Sequence, residues 1–294
     1  MFDQPMLQPD SMKGKVVLIT GGGTGLGRAI GTYLLELGAN LIITGRREEV
    51  LTKAASDMAE ASGQEVLPVP GDVRDYDQVV KTIEAGMEKF GKIDALINNA
   101  AGNFISPTER LSHRAFEAVI GIVLQGSINY TLELGKRWIE AEHKGVVLSV
   151  STTYADTGSG YVVPSACAKS GLNAMTRSLA AEWGTKYGIR LNAVAPGPFP
   201  TKGAWDRLFP DDIKDKFDFT KRIPFKRTGE HQELANLCAF LVSDYSSYVN
   251  GQVISIDAGE SVNGAGQFNM LNGIPEPMWD MIEETIRKNT RKKA

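Results

Sequence analysis

The chain has 294 residues, with 32 Lys and Arg against 35 Asp and Glu for a formal charge of −3, and is 42% hydrophobic and 23% charged. That length buries a sizeable core in one large domain or two small ones, and that composition excludes wholesale disorder. The charge balance lacks the basic excess of a dedicated nucleic-acid binder, and two cysteines (Cys167, Cys238) with three histidines argue against a disulfide framework and a structural metal.

Residues 1–15 contain acids and prolines but no apolar core segment, so they do not read as a signal peptide. No apolar run approaches the ~20 residues of a membrane span, and the expectation is a reduced, cytoplasmic, soluble protein. Residues 15–20 (KVVLIT) form a nearly continuous apolar run, predicted as a buried strand, with a helix over 28–37. Between them lies TGGGTGLG, with glycines at 21, 25 and 27 and two more at 22 and 23. Such a turn, after a strand and before a helix, lets backbone N–H groups approach a pyrophosphate at the positive end of the helix dipole. Gly21, Gly23, Thr24, Gly25, Leu26 and Gly27 are therefore candidate dinucleotide contacts.

A second strand is predicted at 40–44 and a helix at 48–62. NAD binders place an acid near the end of this strand, for the ribose 2′-hydroxyl. Here Arg46 and Arg47 stand instead, and a guanidinium pairs bidentately with a 2′-phosphate. NADP(H) is favoured, although either arginine alone also fits an exposed helix start.

Further buried strands are predicted at 65–68, 95–97, 145–149, 190–194 and 252–256, with helical patterns between them. Continuously apolar strands alternating with helices give the expected fold class: α/β, a Rossmann-like doubly wound parallel sheet with helices on both faces, in a single domain over 1–294. Asp72 and Val73 after the third strand, Asn99 after the fourth, and Pro196 and Gly197 after the sixth all follow strand ends, where ligands bind in open α/β sheets. An acid at Asp72 suits an adenine amine. Residues 199–227 mix Phe and Pro with eight Lys/Arg against five Asp/Glu, and are predicted as a substrate lid. Residues 259–277 read as a Gly/Asn/Pro-rich loop and 278–288 as an amphipathic helix, together making a C-terminal extension over 259–294.

Through TGGGTGLG, NNAAG, a late lysine and PGP, residues 13–259 resemble the short-chain dehydrogenase/reductases. Members of that family carry Tyr-x-x-x-Lys, in which tyrosine protonates a carbonyl oxygen and lysine holds the ribose. Here the matching segment is Ser165-Ala166-Cys167-Ala168-Lys169, and Val123 stands where the family has a catalytic Asn. Ordinary carbonyl reduction is thereby disfavoured. Two nearby tyrosines are candidates: Tyr154, in STTYADTGSG immediately after a strand, and Tyr161, which fits packing better.

That string, with NAAGNFISPTERLS at 99–112, PGP at 196–198 and TKGA at 201–204, is similar to the 2,4-dienoyl-CoA reductases, in particular those of mitochondrial type. The resemblance implies that Tyr154 is catalytic, that Asn103 assists it, that Lys169 orients NADP(H), and that serine at 165 is usual. It implies acyl-CoA as substrate, with Arg46, Arg74, Asn103, Phe104, Ser112 and Arg207 in contact with it, and a homotetramer. In such a reaction hydride goes to C5 while charge gathers on the thioester oxygen, which explains a displaced tyrosine. Tyr154 and Asn103 would donate to that oxygen and Ser165 position substrate or water. Another short-chain reductase, acting on a 3-oxoacyl thioester or a sugar, and a non-catalytic NADP(H) sensor stay open at this stage.

Overall fold

The computed structural model describes residues 6–201 and 218–291. Seven strands run parallel in the order β3-β2-β1-β4-β5-β6-β7: β1 Val16–Thr20, β2 Asn40–Gly45, β3 Val66–Pro70, β4 Ala95–Asn98, β5 Val146–Val150, β6 Arg190–Pro196 and β7 Val253–Ile256. Each predicted strand is present, within two residues at either end. The chain reverses direction across the sheet between β1 and β4, which pair through Val17–Ala95 and Ile19–Ile97. At such a reversal the two crossovers leave in opposite directions and open a crevice at the strand C-termini.

Both faces of the sheet are covered, which is why the strands are apolar throughout. Val17 and Ile19 of β1 face a core shared with α1 (Gly25–Glu36), α2 (Glu48–Ser62) and a later helix, His231–Val242. Val16 and Leu18 face the opposite core, with α3 (Tyr76–Phe90), α5 (Gly126–Glu140) and α7 (Val163–Tyr187). The helical stretch His113–Glu140 comprises α4 (His113–Ile120), a wide turn at Gly121–Gln125, and α5. By length and composition this stretch is apolar enough to cross a membrane. Its Tyr130, Leu134 and Trp138 are instead buried against the sheet.

The helix predicted at 28–37 starts earlier, at Gly25, while the one at 48–62 has the predicted bounds. The α3 start is fixed by Asp75, whose carboxylate accepts from the amides of Asp77 and Gln78, and its end by Gly91 in the left-handed region. Residues 259–277 are not the loop their Gly/Asn/Pro content predicts. They contain a short helix, Glu260–Ala265, and a single 3₁₀ stretch, Asn269–Gly273, tied by Asn269 Nδ2 donating to the carbonyls of Val262 and Asn263. Side chains that bond backbone locally offset the low helix propensity of the composition. The terminal helix is Glu276–Arg291, two residues earlier and three later than predicted.

Candidate active site

The glycine-rich turn joins β1 to α1 at the crevice. Gly21 has φ +68°, and a Cβ there would come within 3.0 Å of Asn99 Nδ2. Asn99 staples the turn: its Nδ2 donates to the carbonyls of Thr20 at 2.9 Å and Gly21 at 3.3 Å. Thr20 Oγ1 in turn accepts from the amides of Asn99 (3.0 Å) and Ala100 (2.9 Å). The expected cofactor residue Asn99 thus shapes the cofactor loop with its side chain, and Thr20, which the sequence did not single out, is its partner. No described side chain caps α1 and its first turn holds no acid, so the amides at 25–27 are available to an anion. A hollow of about 550 Å³ lies beside them, lined by Gly23, Thr24, Gly25, Arg28, Thr201 and His231. These features fit a dinucleotide diphosphate.

Gly27 is held more tightly than any propensity requires. A Cβ at this position would stand 2.5 Å from Asn99 Nδ2 and 2.6 Å from Gly21 O. Gly27→Ala is therefore expected to cost about 1–3 kcal/mol and to weaken dinucleotide binding, because the staple must move. Denaturant midpoints and a nicotinamide fluorescence titration check this; wild-type values in both would refute it.

Just beyond β2, Arg46 is exposed. Asp72 and Arg74, expected to serve different ligands, are paired. Arg74 Nη2 lies 2.6 Å from Asp72 Oδ2 and its Nε 3.0 Å from Oδ1. Those hydrogen bonds from Arg74 hold the Asp72 carboxyl below its ordinary range, and the charge of Arg46 acts in the same sense. The Val73 side chain packs on Gly126 of α5, and its carbonyl accepts from Asn129 Nδ2 at 3.0 Å. Pro196 and Gly197 close β6, with Gly197 pressed against Asp257 so that a Cβ would meet Asp257 Cβ at 2.7 Å.

Three of the four expected catalytic residues converge around one hydroxyl. After β5 the chain turns into a short helix, α6 (Tyr154–Thr157), then through 158–161 into α7. Tyr154 OH lies 3.0 Å from Ser165 Oγ and accepts from Asn103 Nδ2 at 3.4 Å. Asn103 Oδ1 is itself held by the amide of Phe104 at 2.9 Å, which aims the carboxamide N–H at the tyrosine. Lys169, one turn after Ser165, is only 6% exposed and donates to the Val150 carbonyl at the end of β5. Burial lowers its pKa to about 8. The arrangement sets two polarised donors side by side, with a buried amine nearby. Such a group can stabilise an oxyanion.

Phe104 packs beside an apolar cluster of Val119, Val123 and Ala168. Val123, where the wider family has Asn, is therefore part of a hydrophobic wall. Ser112 caps α4, its Oγ accepting from the amide of Ala115 at 3.3 Å. Tyr161 does not pack: the residue is 63% exposed at φ +67°, and among the described residues only its carbonyl is engaged, by the amide of Ser106. Gly158 at φ +73° and Tyr161 turn this loop outward, which the apolar character of the ring alone did not reveal. Arg207 and most of the expected lid, 202–217, lie outside the described residues.

A family model described as enoyl-(acyl carrier protein) reductase matches residues 21–261. A probable 2,4-dienoyl-CoA reductase of Caenorhabditis elegans, named as (3E)-enoyl-CoA-producing, is 44% identical over 99% of this chain and 95% of its own length. A probable 2,4-dienoyl-CoA reductase of Bacillus subtilis, named as (2E)-enoyl-CoA-producing, is 42% identical over 86% of this chain and 98% of its own. A crystal structure of a short chain dehydrogenase from Bacillus anthracis superimposes with a TM-score of 0.76 at 43% identity, covering 85% of this chain and 97% of that one.

Proposed function

The chain belongs to the short-chain dehydrogenase/reductase family, and from that premise we propose that it is an NADPH-dependent reductase of 2,4-dienoyl-CoA thioesters. One observation carries the reading: the tyrosine hydroxyl held by Asn103 and Ser165 belongs to Tyr154, while serine fills the family's usual tyrosine position. The names of the two relatives support the substrate class.

NADPH, when bound, supplies hydride to C5 of the substrate. The C4–C5 π pair then becomes the C3–C4 double bond, and the C2–C3 pair shifts to leave negative charge on the thioester oxygen. Tyr154 OH and Asn103 Nδ2 donate to that oxygen, and a proton from water at C2 completes a 3-enoyl-CoA. A tyrosine at position 165 would serve a carbonyl beside the nicotinamide, whereas here the charge develops four carbons away from the hydride-accepting atom. Phe104 and the apolar wall behind it border the acyl chain, and Arg46 meets the phosphates, while Arg74 is engaged by Asp72. Lys169 holds the nicotinamide ribose.

The test follows NADPH absorbance with a 2,4-dienoyl-CoA and with a 3-oxoacyl-CoA. Oxidation with the dienoyl substrate is expected; turnover with the oxo substrate alone, or none with either, would refute the reading. In the same assay Arg46→Ala is expected to shrink the preference for NADPH over NADH by about 10–100-fold, the worth of one or two charge-assisted hydrogen bonds.

A further inference from the structure

The helix α7 presents four polar side chains at a strict spacing of four: Ser165, Lys169, Asn173 and Arg177. In an α-helix such residues form one slowly drifting stripe. Every one of them touches the segment that carries Tyr154. Ser165 meets the Tyr154 hydroxyl, and Lys169 meets the carbonyl of Val150. Asn173 Oδ1 accepts from Ser151 Oγ at 2.6 Å, and its Nδ2 donates to Asp156 Oδ1 at 3.4 Å. Arg177 Nη2 stands 3.7 Å from the same Asp156 oxygen.

Asn173 is the buried member with no part in the chemistry described above. It is 1% exposed, and Ser151 is 5% exposed. Its two bonds fall on either side of Tyr154, one three residues before and one two residues after. A carboxamide accepts from a hydroxyl through its oxygen and donates to a carboxylate through its separate nitrogen, which a single hydroxyl would have to do from one atom. Leucine fills the space with neither bond, and aspartate keeps the acceptor while setting two carboxylates face to face. With Asn173 removed, α6 keeps the bond from Ser170 Oγ to the Ala155 carbonyl and the Arg177–Asp156 pair, but no single buried side chain of α7 then ties both flanks of Tyr154.

We infer that Asn173 is a positioning residue that fixes where the Tyr154 hydroxyl points. The inference rests on the reading of Tyr154 as the oxyanion donor, and the experiment separates the two. Asn173→Leu and Asn173→Asp are expected to lower kcat for dienoyl-CoA reduction about 10–100-fold, the range for a misplaced catalytic group, with KM and the NADPH Kd within twofold. In the paired variant Asn173→Asp with Asp156→Asn, the donor and acceptor exchange sides, and kcat is expected to return to within about threefold. In a Tyr154→Phe background, Asn173→Leu is expected to add no further loss.

Unchanged kcat in Asn173→Leu, a matching loss of NADPH binding, or no recovery in the exchanged pair would overturn the inference. If Tyr154→Phe itself keeps full activity, the reading of Tyr154 fails and the inference with it. If Tyr154→Phe is crippled while the Asn173 variants are not, only the inference fails. Should Asn173→Leu fold poorly, the isosteric Asn173→Asp and the exchanged pair still decide the question.

Discussion

Tyr154→Phe is expected to lower kcat for dienoyl-CoA reduction by about 10²–10³-fold, the loss seen when one preorganised oxyanion donor is removed. The hydroxyl is half-buried and anchored at 3.0 Å by Ser165 Oγ, so it needs little reorganisation when charge develops. The phenylalanine ring leaves packing intact, and KM and NADPH affinity should stay within about twofold, since the lost bond forms mainly in the transition state. Asn103 Nδ2 remains as a donor and sustains the residual rate. Tyr161→Phe is the control: the residue is 63% exposed, and the variant should lose less than about twofold. Steady-state NADPH absorbance checks both variants. Equal losses would refute the assignment.

The second large effect is at Lys169. Burial depresses its pKa to about 8, so the ammonium in the free protein is lost as pH rises through 8 rather than through 10.5. NADPH affinity should therefore fall above pH 8, because the neutral amine is a weaker partner for the ribose and for developing negative charge. Stability runs the other way. Between about pH 8 and 10.5 the unfolded chain binds the proton that the folded chain has released, so this residue's contribution makes stability rise with pH. In Lys169→Met the contribution of this residue to both pH dependences should be lost, with NADPH binding weakened by about 10–100-fold for the loss of a charged hydrogen-bond donor. Fluorescence titration and thermal melts across pH 6.5–10.5 check this. A binding curve flat through pH 8 in the unmodified protein would refute it.

Fold and cofactor loop were legible because both depend on local pattern. A strand covered on two faces must be apolar at every position, and KVVLIT announces β1 whatever it pairs with. The glycines at 21, 25 and 27 announce a turn in the same way. What pattern hides is partnership over long separations. Thr20 and Asn99 are ordinary residues until β1 and β4 pair and bring them within 3.0 Å. The clamp at Asn173 is half visible: the spacing 165, 169, 173, 177 lies open in the sequence, but the chain does not say that the stripe faces Ser151 and Asp156.

Tyr161 failed for a related reason. An aromatic side chain was expected to pack, yet a left-handed backbone in a glycine-containing loop turns it to solvent. Arg74 shows a different limit. Resemblance assigned it to an acyl-CoA, and a place just after a strand end assigned Asp72 to a nucleotide, but two opposite charges two residues apart also find each other.

The staple of the cofactor loop has a consequence for biosynthesis. Asn99 follows Thr20 by 79 residues, and nascent chains lengthen by roughly 5–20 residues per second. For about 4–16 seconds after β1 is made, its glycine turn waits without the carboxamide that sets its shape, and the apolar strand waits without β4. Dinucleotide therefore cannot template the first half of the fold as it emerges from the ribosome. Protection of β1 in that interval must come from α1 and β2, which leave the ribosome next, or from a chaperone.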